Sequence, residues 1–136
     1  MRALIPVIGL VLLGACVADA DDEMPQQAEL YSVLYYADWC PSCKVLDPAL
    51  DRAKNSADLN NAPVLFVRLD LTNKKTKAQA ALLANALGIG EHLAANDGKT
   101  GYAVLIDPET KAAKGTLNKS MSDEAIAMAI KAGIAF

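Results

Sequence analysis

The sequence predicts an α/β fold in which a central four-stranded mixed sheet has helices on both faces. Three apolar runs, at residues 31–37, 63–70 and 102–107, have the length and near-continuous hydrophobicity of buried strands. Longer segments with apolar residues at helical spacing lie between and after them. Strands that alternate with helices indicate crossover connections. We therefore predict the order β-α-β-α-β-β-α, with two right-handed parallel crossovers followed by a hairpin.

The first two helices are predicted from apolar spacing and capping residues. The first runs from about residue 40 to residue 55 and bends near Pro48, because a proline inside a helix removes a hydrogen bond. Thr72 or Asn73 can cap the second helix, which extends to about Leu87. Its expected inward face consists of the apolar residues Ala78, Ala81, Leu82, Leu83 and Ala86.

The last third of the chain is predicted as a turn-rich segment, a hairpin and a helix. Residues 88–101 contain many turn formers, with one short helical turn expected among them. A turn at Pro108 leads to a fourth strand over residues 112–117, which its flanking lysines place at a sheet edge. Ser120 or Ser122 is expected to cap the final helix.

Length and charge narrow the possible classes of protein. The chain has 136 residues and a formal net charge of −3, so we expect one domain with a modest core. The lysines at positions 74, 75 and 77 are expected on a solvated helix face, and the sequence has no longer basic block. We therefore expect no nucleic-acid partner, and we expect a monomer.

The N-terminal residues have the pattern of a secretory signal. Arg2 precedes an apolar stretch at residues 3–15, which is too short to cross a bilayer core of about 30 Å, since that needs about 20 residues. The stretch ends in Leu13-Gly14-Ala15-Cys16, which resembles the bacterial lipobox, whose cysteine is lipidated and becomes the new N-terminus. Lipidation of Cys16 would account for an odd number of cysteines.

The domain boundaries follow from this signal. We expect a signal peptide at residues 1–15, a lipid anchor and flexible acidic tether at residues 16–29, and a folded domain at residues 30–136. The tether is too polar to bury enough apolar surface to order itself. A membrane-anchored lipoprotein of the bacterial periplasm is the expected location, and cleavage after Ala20 to give a soluble periplasmic protein is the alternative.

A cysteine pair lies at the predicted junction of the first strand and the first helix. At a helix start, unpaired backbone N–H groups and the helix dipole both favour the thiolate of Cys40, which is the reactive form. Pro41 suits the first helical position, and Cys43 is close enough to form a short disulfide with Cys40. With His92 as the sole histidine and no second Cys-x-x-Cys, four zinc ligands cannot be assembled. Copper(I) needs fewer ligands, so a copper(I) site at the cysteine pair remains an alternative.

The residues around this pair form a recognisable motif set, which consists of Tyr36-Ala37-Asp38-Trp39-Cys40, Cys43-Lys44, Asp47, Pro48 and Asp70-Leu71-Thr72. This set resembles the thioredoxin superfamily, and most closely the periplasmic domains that end DsbD-type transmembrane electron carriers. The resemblance extends from about residue 30 to the C-terminus. It implies a thioredoxin-like fold without a cofactor, in which Cys40 attacks a substrate disulfide and Cys43 resolves the mixed disulfide.

Two departures from the family pattern concern the site. Thioredoxins bury an aspartate six residues before the first cysteine, where this sequence has Leu34. We expect Asp47, one turn beyond Cys43, to accept its proton instead, although a solvated helix aspartate is the alternative. Gly101 stands where the family has a cis-proline, and a trans peptide is expected because a cis bond without proline costs roughly 2.5–4 kcal/mol. The resemblance implies substrate binding by Trp39, Pro41, Ser42, Thr100, Gly101 and Tyr102.

Together these features predict a periplasmic thiol–disulfide oxidoreductase. We expect a reductase that acts on disulfide-bonded protein substrates and receives electrons from a membrane carrier of DsbD type. The alternatives are a dithiol module that carries copper(I), a disulfide oxidase or isomerase, and a redox-inert interaction domain.

Overall fold

The computed structural model describes residues 27–135. The α/β class and the four-stranded mixed sheet are confirmed, and the strands lie in the order β2-β1-β3-β4, which places β4 at the predicted edge. The elements are β1 (Leu30–Tyr36), α1 (Pro41–Lys54), β2 (Val64–Asp70), α2 (Lys74–Ala86), α3 (Gly90–Asn96), β3 (Tyr102–Ile106), β4 (Ala113–Asn118) and α4 (Asp123–Ala135).

The direction of β3 differs from the prediction. β1 pairs with β2 in parallel but with β3 antiparallel, so that Tyr35 lies opposite Tyr102. The predicted second parallel crossover is therefore wrong. β3 runs antiparallel to β1 because two helices, α2 and α3, join β2 to β3. α2 carries the chain away from the end of β2 and α3 returns it, so β3 begins beside the cysteine end of β1 and runs back. β3 and β4 form the predicted antiparallel hairpin.

The core consists of two apolar layers, one on each face of the sheet. Successive side chains of a strand point to opposite faces, so Leu30 and Leu34 of β1 face one layer and Val33 and Tyr35 face the other. The first layer contains residues of α1 and α4, among them Leu46, Leu50, Ile126 and Ile130. The second layer contains Val67, Leu69, Ala80, Ala84 and Ile89, contributed by β2, α2 and the start of α3.

The predicted inward face of α2 is wrong. Ala80 and Ala84 are buried, whereas Leu82 is 72% exposed and Leu83 is 41% exposed. Alanines occur around the whole circumference of this helix, so apolar spacing alone did not distinguish the face that packs on the sheet. Small side chains on the buried face let the helix lie close to β2.

The predicted helix boundaries agree with the capping contacts. The Asn73 side chain accepts hydrogen bonds from the N–H groups of Lys75 and Thr76. The Thr76 hydroxyl oxygen in turn accepts a hydrogen bond from the N–H of Asn73. This capping box satisfies donors that the first turn of α2 would leave unpaired. At the start of α4, Ser122 Oγ accepts from the N–H of Ala125 at 3.2 Å.

Part of the sequence prediction falls on residues that the structure does not describe. The signal peptide at residues 1–15, Cys16 and most of the tether at residues 16–29 lie outside the described range. In residues 27–135, no helix has both the length and the apolar character that crossing a bilayer requires.

Candidate functional site

Cys40 and Cys43 lie at the start of α1, where the chain turns from extended to helical conformation. Cys40 is the N-cap residue, with φ −87° and ψ 113°, and its sulfur accepts a hydrogen bond from the N–H of Cys43 at 3.3 Å. Pro41 is the first helical residue, where its missing N–H costs no hydrogen bond. Cys40 is 4% exposed and Cys43 is fully buried, and neither sulfur is bonded to another among the described residues.

The two thiols differ in acidity. Burial alone would raise the pKa of Cys40, but hydrogen bonds from the Cys43 thiol, from the Thr100 side chain and from backbone N–H groups outweigh burial and lower it. Burial raises the pKa of Cys43 to about 11, and its hydrogen bond to Cys40 contributes in the same direction. Cys40 is therefore the better nucleophile near neutral pH, because the thiolate is the species that attacks.

The backbone carbonyl of Tyr35 joins the resolving cysteine to the loop before β3. It accepts the Cys43 thiol, with a sulfur-to-oxygen distance of 3.7 Å, and the N–H of Gly101 at 2.9 Å. A single acceptor thus holds both the buried sulfur and the loop that faces it.

Gly101 approaches the dithiol more closely than any other residue type could. Its φ is +93°, and a Cβ built on it would lie 2.7 Å from Ser42 Cβ and 3.2 Å from Cys40 Sγ. Residues 27–135 contain no cis peptide bond, so the expected trans peptide at this position is confirmed. Glycine is required because the left-handed conformation and the short approach both disfavour a side chain.

Trp39 forms an exposed aromatic surface immediately before Cys40. Its indole is 58% exposed, and the indole N–H donates to the Thr72 carbonyl at 3.2 Å. The Thr72 hydroxyl accepts the N–H of Asp38 at 3.0 Å, and the N–H of Thr72 donates to the Asp70 carboxylate at 2.9 Å. Thr72 therefore fixes the segment that leads into the cysteines. The Asp70-Leu71-Thr72 motif was recognised in the sequence, but this role of Thr72 was not predicted from it.

Asp47 lies on α1 in contact with Arg68 of β2. Both of its carboxylate oxygens accept from one Arg68 nitrogen, at 2.6 and 2.7 Å, and the Arg68 guanidinium stacks over Tyr36 with its carbon 4.8 Å from the ring centre. Arg68 therefore compensates the charge of Asp47. The proposed role of Asp47 as proton acceptor for Cys43 stays a prediction.

The residues expected to bind substrate converge from two segments. Trp39, Pro41 and Ser42 come from the junction of β1 and α1, and Thr100 and Gly101 approach them from the loop before β3. Tyr102 lies one step further from the sulfurs, with its ring centre 5.2 Å from that of Tyr35. The two segments meet where Gly101 approaches Ser42 and the Cys40 sulfur.

Metal-binding side chains do not cluster in the described part of the chain. Residues 27–135 contain no group of three or more histidine, cysteine, aspartate or glutamate side chains that could hold one ion. The imidazole of His92 lies 2.6 Å from the Lys111 carbonyl oxygen.

Comparison with known proteins agrees with this geometry. Solved structures that match include a thioredoxin-related protein from Neisseria meningitidis serogroup B, with 17% identity and a TM-score of 0.57, covering 85% of this chain and 96% of that chain. A thiol:disulfide interchange protein of the thioredoxin family from Chlorobium tepidum matches with 17% identity and a TM-score of 0.51, covering 78% and 80% of the two chains. At these identities the likeness shows the fold. No curated protein matches the chain significantly.

The family itself is shown by the sequence. The family described as Thioredoxin matches residues 16–85, just over half of the chain and inclusive of both site cysteines. The chain therefore belongs to the thioredoxin family of thiol–disulfide oxidoreductases.

Proposed function

We propose that this protein is a disulfide reductase of the bacterial cell envelope that uses the Cys40/Cys43 dithiol on disulfide-bonded proteins. The observation that carries the proposal is the difference between the two thiols. The Cys40 pKa is lowered and the Cys43 pKa is raised to about 11. Cys40 therefore ionises more readily and attacks first, while Cys43 stays protonated until the second step.

The reaction consists of two exchanges. The Cys40 thiolate attacks one sulfur of a substrate disulfide, forming a mixed disulfide and releasing the other substrate sulfur as a thiolate. Cys43 then loses its proton and attacks Cys40, which closes the intramolecular disulfide and releases the second substrate thiol. The substrate gains two electrons, the dithiol loses two, and a membrane electron carrier of DsbD type would reduce Cys40 and Cys43 again.

The direction of electron flow is supported by the groups that surround Cys40. Those that lower its pKa are neutral: a thiol, a hydroxyl and backbone N–H groups. A strong oxidant requires its reduced form to be stabilised by a very low pKa, which a neighbouring cation would favour. Neutral donors favour a milder, reductase-like couple.

Membrane anchoring through Cys16 is part of the proposal. The N–H of Glu29 pairs with the Pro63 carbonyl at 2.8 Å, where β1 begins, and Cys40 follows the other end of this strand. An anchored N-terminus would therefore enter the domain at the end of β1 that is opposite to the dithiol. Replacing Cys16 by serine should move the protein from the membrane fraction to the soluble fraction, and a wild-type protein that is already soluble would contradict the anchor.

Insulin reduction tests the enzymatic proposal. The wild type should reduce insulin disulfides catalytically, Cys40→Ser should abolish turnover, and Cys16→Ser is the matched cysteine control that should retain it. Cys43→Ser should stall as a mixed disulfide with its substrate, whereas Cys40→Ser should trap none. Absence of insulin reduction combined with tight copper(I) binding would favour the copper carrier instead.

A further inference from the structure

The side chain of Asn96 lies in an unusual environment. It is the last residue of α3 and is 5% exposed, which is rare for a residue with four hydrogen-bonding valences. Its amide nitrogen donates to the Lys99 carbonyl at 2.8 Å, and its oxygen accepts the Tyr102 hydroxyl. One end of the amide therefore binds a residue inside the short loop at residues 97–101, and the other end binds the residue that follows this loop.

That loop has a conformation which its residues permit but do not fix. Asp97, Gly98 and Gly101 have φ values of 53°, 74° and 93°, all in the region that L side chains rarely adopt. Glycines can also adopt many other conformations, and the loop contains no proline that would restrict its backbone. Its shape must therefore be held by contacts from outside.

Asn96 and the end of β1 supply these contacts. The N–H of Lys99 donates to the Asn96 carbonyl at 3.2 Å, and the N–H of Gly101 donates to the Tyr35 carbonyl at 2.9 Å. Between these two points lies Thr100, and the next residue, Gly101, comes so close to the dithiol that a Cβ built on it would lie 3.2 Å from Cys40 Sγ. A polypeptide that presents a disulfide to Cys40 would therefore lie against Thr100 and Gly101.

We propose that Asn96 is a positioning residue that holds loop 97–101 in the shape that docks a polypeptide substrate beside Cys40. Its buried amide gives the loop a rigidity that the glycines at positions 98 and 101 do not provide. The inference rests on the proposed exchange with protein disulfides. It implies a specific selectivity, since a small disulfide reaches Cys40 without lying along the loop and does not depend on the shape of the loop.

The test compares a protein disulfide with a small one. Asn96→Ala and Tyr102→Phe each remove part of the network, and Tyr102→Phe keeps the ring that packs on Tyr35. For both variants the KM for insulin should rise about five- to tenfold, the effect of losing one or two hydrogen bonds. For Asn96→Ala the rate with hydroxyethyl disulfide should fall less than about twofold, because the Cys40 thiolate is retained. Tyr31→Phe, which removes a hydroxyl at the other end of β1, is the control and should change neither rate.

Amide hydrogen exchange gives a readout that does not depend on activity. The Gly101 N–H should exchange faster in Asn96→Ala and Tyr102→Phe than in the wild type and in Tyr31→Phe. A wild type that fails to reduce insulin would overturn the proposed function, and the Gly101 exchange rates would still decide the role of Asn96. Unchanged exchange at Gly101 in both variants, or an equal loss of rate with insulin and with the small disulfide, would overturn the inference.

Discussion

The unequal acidity of Cys40 and Cys43 makes the stability of the reduced protein depend on pH. The folded-state pKa of Cys43 is raised to about 11 from an ordinary value of 9.0. Between these values the folded protein keeps a proton that the unfolded chain releases, so unfolding becomes easier as the pH rises. We expect the urea midpoint of the reduced protein to fall between about pH 9 and pH 11.

A variant separates Cys43 from other groups that titrate in this range. Tyr35 is buried and its pKa is raised to about 12, so it contributes a similar slope at the upper end. Cys43→Ala should lose the part of the slope that begins near pH 9 and keep the part due to Tyr35. Identical pH dependence of the urea midpoint in the two proteins would show that Cys43 ionises normally.

Gly101 and Gly98 provide a matched pair of substitutions. Both have positive φ, so an alanine at either is strained by roughly 1–2 kcal/mol. A Cβ at Gly98 meets no atom within 4 Å, whereas one at Gly101 would lie 2.7 Å from Ser42 Cβ. Gly101→Ala should therefore lower the free energy of unfolding by more than Gly98→Ala does, and should also slow insulin reduction. Equal effects on stability and activity would mean that the loop moves away from Ser42 at no cost.

At the scale of single elements, β1 contains a buried polar group without a partner. Ser32 is 2% exposed, and its hydroxyl makes no hydrogen bond to any described residue. It lines a cavity of about 180 Å³ between α1 and β2, together with Leu34 and the Asp47–Arg68 ion pair. Leu34 occupies the position at which thioredoxins have a buried aspartate. The Ser32 hydroxyl lies beside it on the same face of β1.

Removing the Ser32 hydroxyl should stabilise the fold. A buried hydroxyl without a partner costs roughly 1–3 kcal/mol, and an alanine of similar size avoids this cost. Ser56 is the comparison, because its hydroxyl donates to the Ala53 carbonyl at 2.6 Å. Denaturant titration should show a higher free energy of unfolding for Ser32→Ala and a lower one for Ser56→Ala. A decrease for Ser32→Ala would indicate that the hydroxyl is hydrogen-bonded in solution.

For the whole molecule, the central quantity is the reduction potential of the dithiol. We predict a value nearer to that of thioredoxin, about −270 mV, than to that of DsbA, about −120 mV. Equilibration of the pair with a glutathione buffer measures it. A potential near −120 mV, with Cys40 largely ionised at acidic pH, would make the protein an oxidase.

The charges near Cys40 bear on this potential, and the folded chain pairs one of them. Two acidic residues lie near Cys40 in the sequence, Asp38 and Asp47, and an unpaired negative charge on either would oppose the Cys40 thiolate. In the folded protein Asp47 is paired with Arg68, so its charge is compensated and the argument now depends on the neutral donors around Cys40. Removing that compensation with Arg68→Ala should expose the Asp47 charge and raise the Cys40 pKa, which the pH dependence of alkylation would measure.

Local chemistry was enough to predict most of the elements and the centre of the site. Continuous apolar runs of strand length have few ways to be buried other than in a covered sheet, so β1, β2 and β3 were recognisable. Cys40, Pro41 and Cys43 could be assigned to a helix start because capping and proline preferences depend on adjacent residues.

The tertiary structure decided what depends on residues distant in sequence. The direction of β3 follows from the return of the chain through α3, which local turn signals do not specify. The exposed side of α2, the pairing of Asp47 with Arg68 and the contacts of Asn96 are set by which surfaces meet in the folded chain. Periodicity and capping act within a few residues of one another, whereas burial and side-chain pairing exist only once the elements have packed together.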